Sequence, residues 1–185
     1  MNEIFYKQYV FLEYINDLIK ENLKKFKNLS IIINIDKKDE ENIKNECSIV
    51  RFAKKNKIPF IFKNSFQKSI KYNANGIFIN STNKKIIKPI LLKKNFWIIG
   101  GVHNQMEYSK KIDQKCNMIM LSPLFYNAKY SKNKILGINK FNLISLRWNI
   151  KIIALGGLAK HNIIKLQYTK CIGYGFKSLI ENNKK

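Results

Sequence analysis

The chain has 185 residues, 45% apolar and 12% aromatic, enough to close one hydrophobic core with little left for a second, so residues 1–185 are read as one domain. Charged residues make up 25%, and no apolar run reaches the roughly 18 residues of a membrane span, which excludes a disordered chain and a helical membrane protein. The formal charge of +23 taken alone points to nucleic acid, yet among 35 basic residues only Arg51 and Arg147 are arginine, and the lysines are scattered through every segment. The excess is read as a solvated lysine-rich surface, and a nucleic-acid partner is not expected.

The N-terminal stretch Met1 to Tyr14 is interrupted by Glu3, Lys7, Gln8 and Glu13 and lacks the apolar core of a signal peptide, so a cytoplasmic protein is expected. Cys47, Cys116 and Cys171 are far apart and form no CxxC or Cys/His cluster, which predicts reduced, buried thiols and no zinc site.

In chain order, short β-branched runs alternate with longer amphipathic ones. Strands are predicted at Gln8 to Glu13, Leu29 to Ile35, Pro59 to Phe62, Gly76 to Asn80, Phe96 to Val102, Met118 to Leu121, Lys151 to Leu155 and, more weakly, Tyr174 to Ser178. Between them, Ile15, Leu18, Ile19 and Phe26 share one helical face, Ile43, Ile49, Val50 and Ala53 another, and Ile86, Ile87 and Ile90 begin a third. Asn104 with Glu107 forms a capping-box-like pair, and Asp39, Glu40 and Glu41 suit a helix N-terminus.

The strands at 30–35 and 151–155 are continuous apolar runs, as parallel strands covered on both faces should be. Eight βα units in sequence predict a closed (βα)8 barrel, slightly trimmed at a last helix confined to Ile180 to Lys185; a doubly wound open sheet is the alternative. The Lys- and Asn-rich segment Tyr126 to Gly137 follows a strand and is read as an active-site loop or a basic surface loop.

Two places suit a phosphate. Ala154 to Leu158 is a strand ending in Gly156 and Gly157, with a helical run predicted from about Ala159, and Gly173 to Ser178 is a second glycine-bearing turn at strand eight. Barrels commonly build a phosphate cup from the loops after strands seven and eight. His103 ends the fifth strand, with no acid expected to orient it, and His161 is read as solvated.

Ile98-Ile-Gly-Gly-Val-His-Asn104, Met118-Ile-Met-Leu-Ser-Pro-Leu-Phe125, Leu136-Gly137, Ile153-Ala-Leu-Gly-Gly157 and Asn162 follow the order and spacing of the thiamine phosphate synthase and TenI family. The upstream Asn75-Gly-Ile-Phe-Ile79 resembles that family's DGVHL strand, and the likeness extends over roughly residues 59 to 180. The resemblance implies a (βα)8 barrel and a transferase that joins hydroxymethylpyrimidine diphosphate to a thiazole phosphate, releasing diphosphate with Mg²⁺ assistance.

Carried across, Gly156 and Gly157 match the family's phosphate-binding glycines, and Lys177 and Ser178 fall on its final phosphate-binding turn. Asn127 and Lys129 fall in the segment of its PTxTK motif, with Lys129 as a catalytic candidate. His103 matches the SxH histidine, which TenI-type members use for proton transfer in isomerising a thiazole. The two metal-binding carboxylates fall on Asn64 and Asn83, so Mg²⁺ is expected to bind weakly, with Lys63 or Lys129 able to offset diphosphate charge. The alternatives to a synthase are a thiazole tautomerase, a family member that only binds a phosphate ester and, last in order, a basic nucleic-acid-binding protein.

Overall fold

Strand β2 (Leu29–Ile33) is buried at every position, and β4 (Gly76–Ile79), β6 (Met118–Leu121) and β8 (Gly173–Phe176) likewise. Burial of both faces is what a parallel strand between a filled lumen and an outer layer of helices requires. With β1 (Lys7–Leu12), β3 (Phe60–Lys63), β5 (Trp97–Val102) and β7 (Lys151–Leu155) they form a closed barrel in sequential order, β8 returning to β1, with every neighbouring pair parallel. The computed structural model describes residues 6–36, 39–85, 95–126 and 131–177. The predicted third helical run at Ile86 and the trimmed last helix lie outside the described residues.

The register sorts the strands into two faces. Tyr9, Ile32, Ile61, Phe78, Ile99, Met118, Met120 and Ile153 fill the lumen, with Phe11, Trp97 and Leu155 packed against them. The alternate residues, such as Val10, Ile31, Phe62, Ile98 and Ile152, meet the helices in a second, larger cluster. This places Lys63, two residues beyond Ile61 and in register with Phe78, on the inward face of the top layer.

Helices α1 (Asp17–Lys24), α2 (Glu40–Lys55), α3 (Phe66–Lys71) and α4 (Gln105–Asp113) each begin at a polar cap whose side chain accepts a backbone N–H: Asn16, Asp39, Ser65 and Asn104. Helix α5 (Gly137–Arg147) starts at Leu136 without a side-chain cap; the N–H groups of Leu136 and Gly137 donate instead to the carbonyls of Pro123 and Leu124. Two predicted core positions are exposed, Leu18 and Ile43, because the buried stripes of α1 and α2 run through Leu23 and Phe52 instead.

After β7 no α-helix starts at Ala159. The chain turns through 158–162 and forms a six-residue 3₁₀ segment, Ile163–Tyr168. The glycines of β8 are closely packed: a Cβ at Gly173 would lie 2.2 Å from the Lys7 carbonyl oxygen, and one at Gly175 would lie 2.9 Å from Leu155 Cδ1. Cys116 and Cys171 are buried as predicted, whereas Cys47 is half-buried with its Sγ 3.7 Å from the Tyr72 hydroxyl.

Candidate active site at the C-terminal mouth

All eight strands point the same way, so the residues just beyond them share one rim. At β7 that rim is the Gly156–Gly157 turn, with φ of +88° and +71°. Its carbonyls are engaged: Leu124 N–H donates to Leu155 at 2.9 Å, Phe125 N–H to Gly156 at 3.1 Å, and Asn162 Nδ2 to Gly157 at 2.8 Å. Asn162 Oδ1 in turn accepts from Ala159 N–H at 2.9 Å, so this buried side chain staples the turn from both sides. The N–H groups of Gly156, Gly157 and Leu158 have no backbone acceptor among the described residues, which is the arrangement an anion would complete.

Gly157 is confined as well as bent. A Cβ there would lie 2.3 Å from the Phe125 carbonyl oxygen and 2.5 Å from that of Tyr126. The sequence places this position at a loop rather than in the core and predicts that Gly157→Asp leaves the fold intact; the position is in fact wedged against the 125–126 backbone.

On the neighbouring strand, Lys177 follows β8 and its Nζ donates to Glu13 Oε1 at 2.8 Å. Glu13 also accepts from Asn34 Nδ2 at 2.7 Å, and the Lys177 hydrogen bond is the leading cause that holds its carboxyl below the usual range. Further round, Lys63 pairs with Asp36, just past β2. Three other predicted site residues, Asn127, Lys129 and Ser178, lie outside the described residues.

His103, past the end of β5, has an orienting acid that the sequence reading does not supply. Glu107 Oε2 accepts from the His103 backbone N–H at 2.7 Å and lies 2.9 Å from Nδ1. The predicted cap is half formed: Asn104 Oδ1 accepts from Glu107 N–H at 2.9 Å, while the Glu107 carboxylate reaches back to His103. A cleft of about 700 Å³ adjoins this pair, lined among others by Pro123, Lys134, Lys140 and Arg147. Its size suits a small molecule, and its excess of basic groups over Glu107 favours an anionic one.

Asn64 and Asn83 are brought together. Asn64, at φ +53°, accepts at Oδ1 from Asn80 N–H at 3.0 Å and from Asn83 Nδ2 at 3.1 Å. Asn83 Oδ1 accepts from Lys85 N–H at 2.9 Å. The Asn83 carbonyl oxygen accepts from Lys111 Nζ at 2.9 Å and Gln114 Nε2 at 3.0 Å. Lys111 is fully buried among neutral carbonyls, and desolvation lowers its pKa. These residues do not fit Mg²⁺: no carboxylate remains at either position, and both acceptor sites of Asn64 Oδ1 are taken.

Among the described residues no group of three or more His, Cys, Asp or Glu is placed to hold a metal, and no helix is long and apolar enough to cross a membrane. Lys111 and Asn162 are the functional-site residues the sequence left without a role. A lysine in the predicted helix after β5 reads as surface, and only its packing over Gly100, whose added Cβ would meet Lys111 Cγ at 2.8 Å, shows that it turns inward.

A family model described as thiamine monophosphate synthase matches residues 8–177, from β1 through Lys177. The thiamine-phosphate synthase of Prochlorococcus marinus strain AS9601 is 25% identical over 130 residues, 70% of this chain and 37% of that protein. That of a second strain of the same organism is 27% identical over 109 residues, 58% of this chain and 32% of that protein. The matched region thus spans about a third of the length of these curated relatives. Among solved structures, a thiamine phosphate pyrophosphorylase from Pyrococcus furiosus superposes with TM-score 0.71 at 16% identity, covering 94% of this chain and 86% of that one. One from Bacteroides thetaiotaomicron gives 0.63 at 11% identity, covering 97% and 86%. At these identities the structural likeness speaks to the barrel fold.

Proposed function

The chain belongs to the thiamine monophosphate synthase family, and on that premise we propose that its C-terminal mouth joins hydroxymethylpyrimidine diphosphate to thiazole phosphate. The observation that carries this reading is the Gly156–Gly157 turn, whose three successive N–H groups lack backbone acceptors among the described residues, with Lys177 following the adjoining strand β8. A thiazole phosphate anchored there has its ring directed over the lumen. The pyrimidine diphosphate takes the remaining mouth, where the new bond to its methylene carbon forms as the carbon–oxygen bond to diphosphate breaks.

The chain's own residues then have separable tasks. The turn and Lys177 bind one phosphate; the basic cleft beside His103 favours the anionic partner; and positioning of the two reactants supplies the rate advantage that proximity gives. We place the protein in the cytoplasm, where such phosphorylated intermediates are held. Asn127, Lys129 and Ser178 remain part of this proposal by family motif alone.

A second reading is favoured by one observation. Glu107 orients His103 through Nδ1, and a carboxylate-oriented imidazole is suited to moving a proton on a thiazole, as TenI-type members do. The two readings separate on whether a pyrimidine diphosphate is consumed.

Calorimetry with the thiazole phosphate and its dephosphorylated alcohol tests the phosphate site. Charge-assisted hydrogen bonds contribute about 1.5–3 kcal/mol each, so the phosphorylated ligand is expected to bind roughly 100-fold more tightly. Lys177→Met is expected to narrow that gap. Equal affinity for both ligands would remove the phosphate site.

A further inference from the structure

The amide pair at Asn64 and Asn83 is a finished structure rather than a damaged metal site. The backbone N–H of Asn80 fixes which atom of the Asn64 amide is oxygen; the Asn64 oxygen then requires nitrogen from Asn83; and the N–H of Lys85 fixes the Asn83 oxygen on the far side. Two carboxylates at this 3.1 Å contact would need a cation or a shared proton between them, whereas one amide donates to the other and needs nothing. The buried Lys111 ammonium, bonded to the Asn83 carbonyl, adds a positive charge on the side away from the lumen. It further disfavours a divalent ion.

A second cation adjoins the amide pair in the chain. Lys63 immediately precedes Asn64, points inward in the top layer of the barrel, and is 16% exposed. Its pairing with Asp36 holds the side chain in place and uses one of the ammonium's three donors. Lys20, paired with Asp17 at the surface, is by contrast 39% exposed.

We propose that this mouth binds the diphosphate group of its substrate without Mg²⁺, with the Lys63 ammonium supplying the charge that a metal held by carboxylates would otherwise supply. The proposal rests on the synthase reading for its ligand. On breaking of the carbon–oxygen bond the electron pair leaves with diphosphate, and Lys63 stabilises the charge that develops there. No oxidant or metal-bound species enters the step.

The test is calorimetry of inorganic pyrophosphate with the native protein, first in EDTA and then in excess Mg²⁺. Binding is expected in EDTA, not strengthened by Mg²⁺, and weakened by at least about tenfold in Lys63→Met. Lys63→Arg, which keeps the charge, is expected to retain most of it. In the double variant Asn64→Asp with Asn83→Asp, binding in EDTA is expected to fall and to return with Mg²⁺. Binding by the native protein only when Mg²⁺ is present overturns the proposal, as does absence of binding in both conditions or an unchanged affinity in a folded Lys63→Met. Pyrophosphate binding in EDTA without thiamine phosphate formation would leave this proposal standing and remove the synthase reading. Synthase activity that needs Mg²⁺ would do the reverse.

Discussion

Replacing Gly157 by alanine separates conformational strain from crowding, because Gly137 provides a control with similar backbone and open surroundings. Both residues have positive φ, +71° and +64°. An alanine Cβ at 157 would lie 2.3 Å from the Phe125 carbonyl oxygen and 2.5 Å from that of Tyr126, whereas at 137 nothing lies within 4 Å. Left-handed backbone costs a non-glycine residue roughly 1–2 kcal/mol, offset by about 0.4–1 kcal/mol from a stiffer unfolded chain. Gly137→Ala is therefore expected to lose about 0–1.6 kcal/mol. At 157 the neighbours are backbone atoms that cannot rotate away, so a further loss of about 1–3 kcal/mol from overpacking is expected.

Urea unfolding followed by circular dichroism measures both variants, with stability read from the midpoint at unchanged slope. The gap between them should be at least about 1 kcal/mol. Equal losses at the two positions would refute the claim that Gly157 is wedged against the 125–126 backbone. In that case Gly157→Asp would become a clean probe of phosphate binding, which the present geometry says it is not.

Alkylation under native conditions should label half-buried Cys47 well before Cys116 and Cys171, which burial shields and whose pKa values it raises, Cys116 to about 12. Mass spectrometry of the labelled peptides checks this, and early labelling of Cys116 would contradict the packing. Stability should fall as pH rises above about 9, because the unfolded chain loses the Cys116 proton while the fold keeps it until about 12, a slope of up to about 1.4 kcal/mol per pH unit. Lys111 works the other way, its lowered pKa adding stability as pH rises toward its ordinary range, but Cys171 and Tyr174 share the sign of Cys116. A urea midpoint that holds steady or rises from pH 9 to 11 would sink this account. Glu107→Gln removes the carboxylate beside His103 Nδ1, and a shift in the imidazole nitrogen resonances toward a mixed tautomer is expected; an unchanged spectrum would mean that Glu107 does not set the ring.

The strands were legible because a parallel barrel buries both faces of each one, and runs such as Ser30 to Ile33 carry that in their composition. The glycines were harder. Gly173 and Gly175 read as a turn when β8 is taken alone, and only the contact of Gly173 with the Lys7 backbone on the neighbouring strand shows a packing reason for a glycine there. The helix expected from Ala159 failed because Asn162, which sits inside that apolar pattern, folds back to hold the Gly157 turn and delays regular structure to Ile163.

At the site, the structure brings Asn64 and Asn83, the two amides on which the family resemblance places carboxylates, into contact. What one-dimensional reading did not show was that the pair is closed by the N–H groups of Asn80 and Lys85. Glu107 carried a usable signal: a glutamate in the first turn of a helix can reach back to the residues that precede it, and here it reaches His103, one residue before the Asn104 cap.

The most direct measurement is formation of thiamine phosphate by the purified chain from hydroxymethylpyrimidine diphosphate and thiazole phosphate in EDTA, followed by phosphorus NMR. The account predicts equimolar thiamine phosphate and diphosphate, with the rate reduced in Lys177→Met and more strongly in Lys63→Met. No product above the protein-free control, with or without added Mg²⁺, would contradict it.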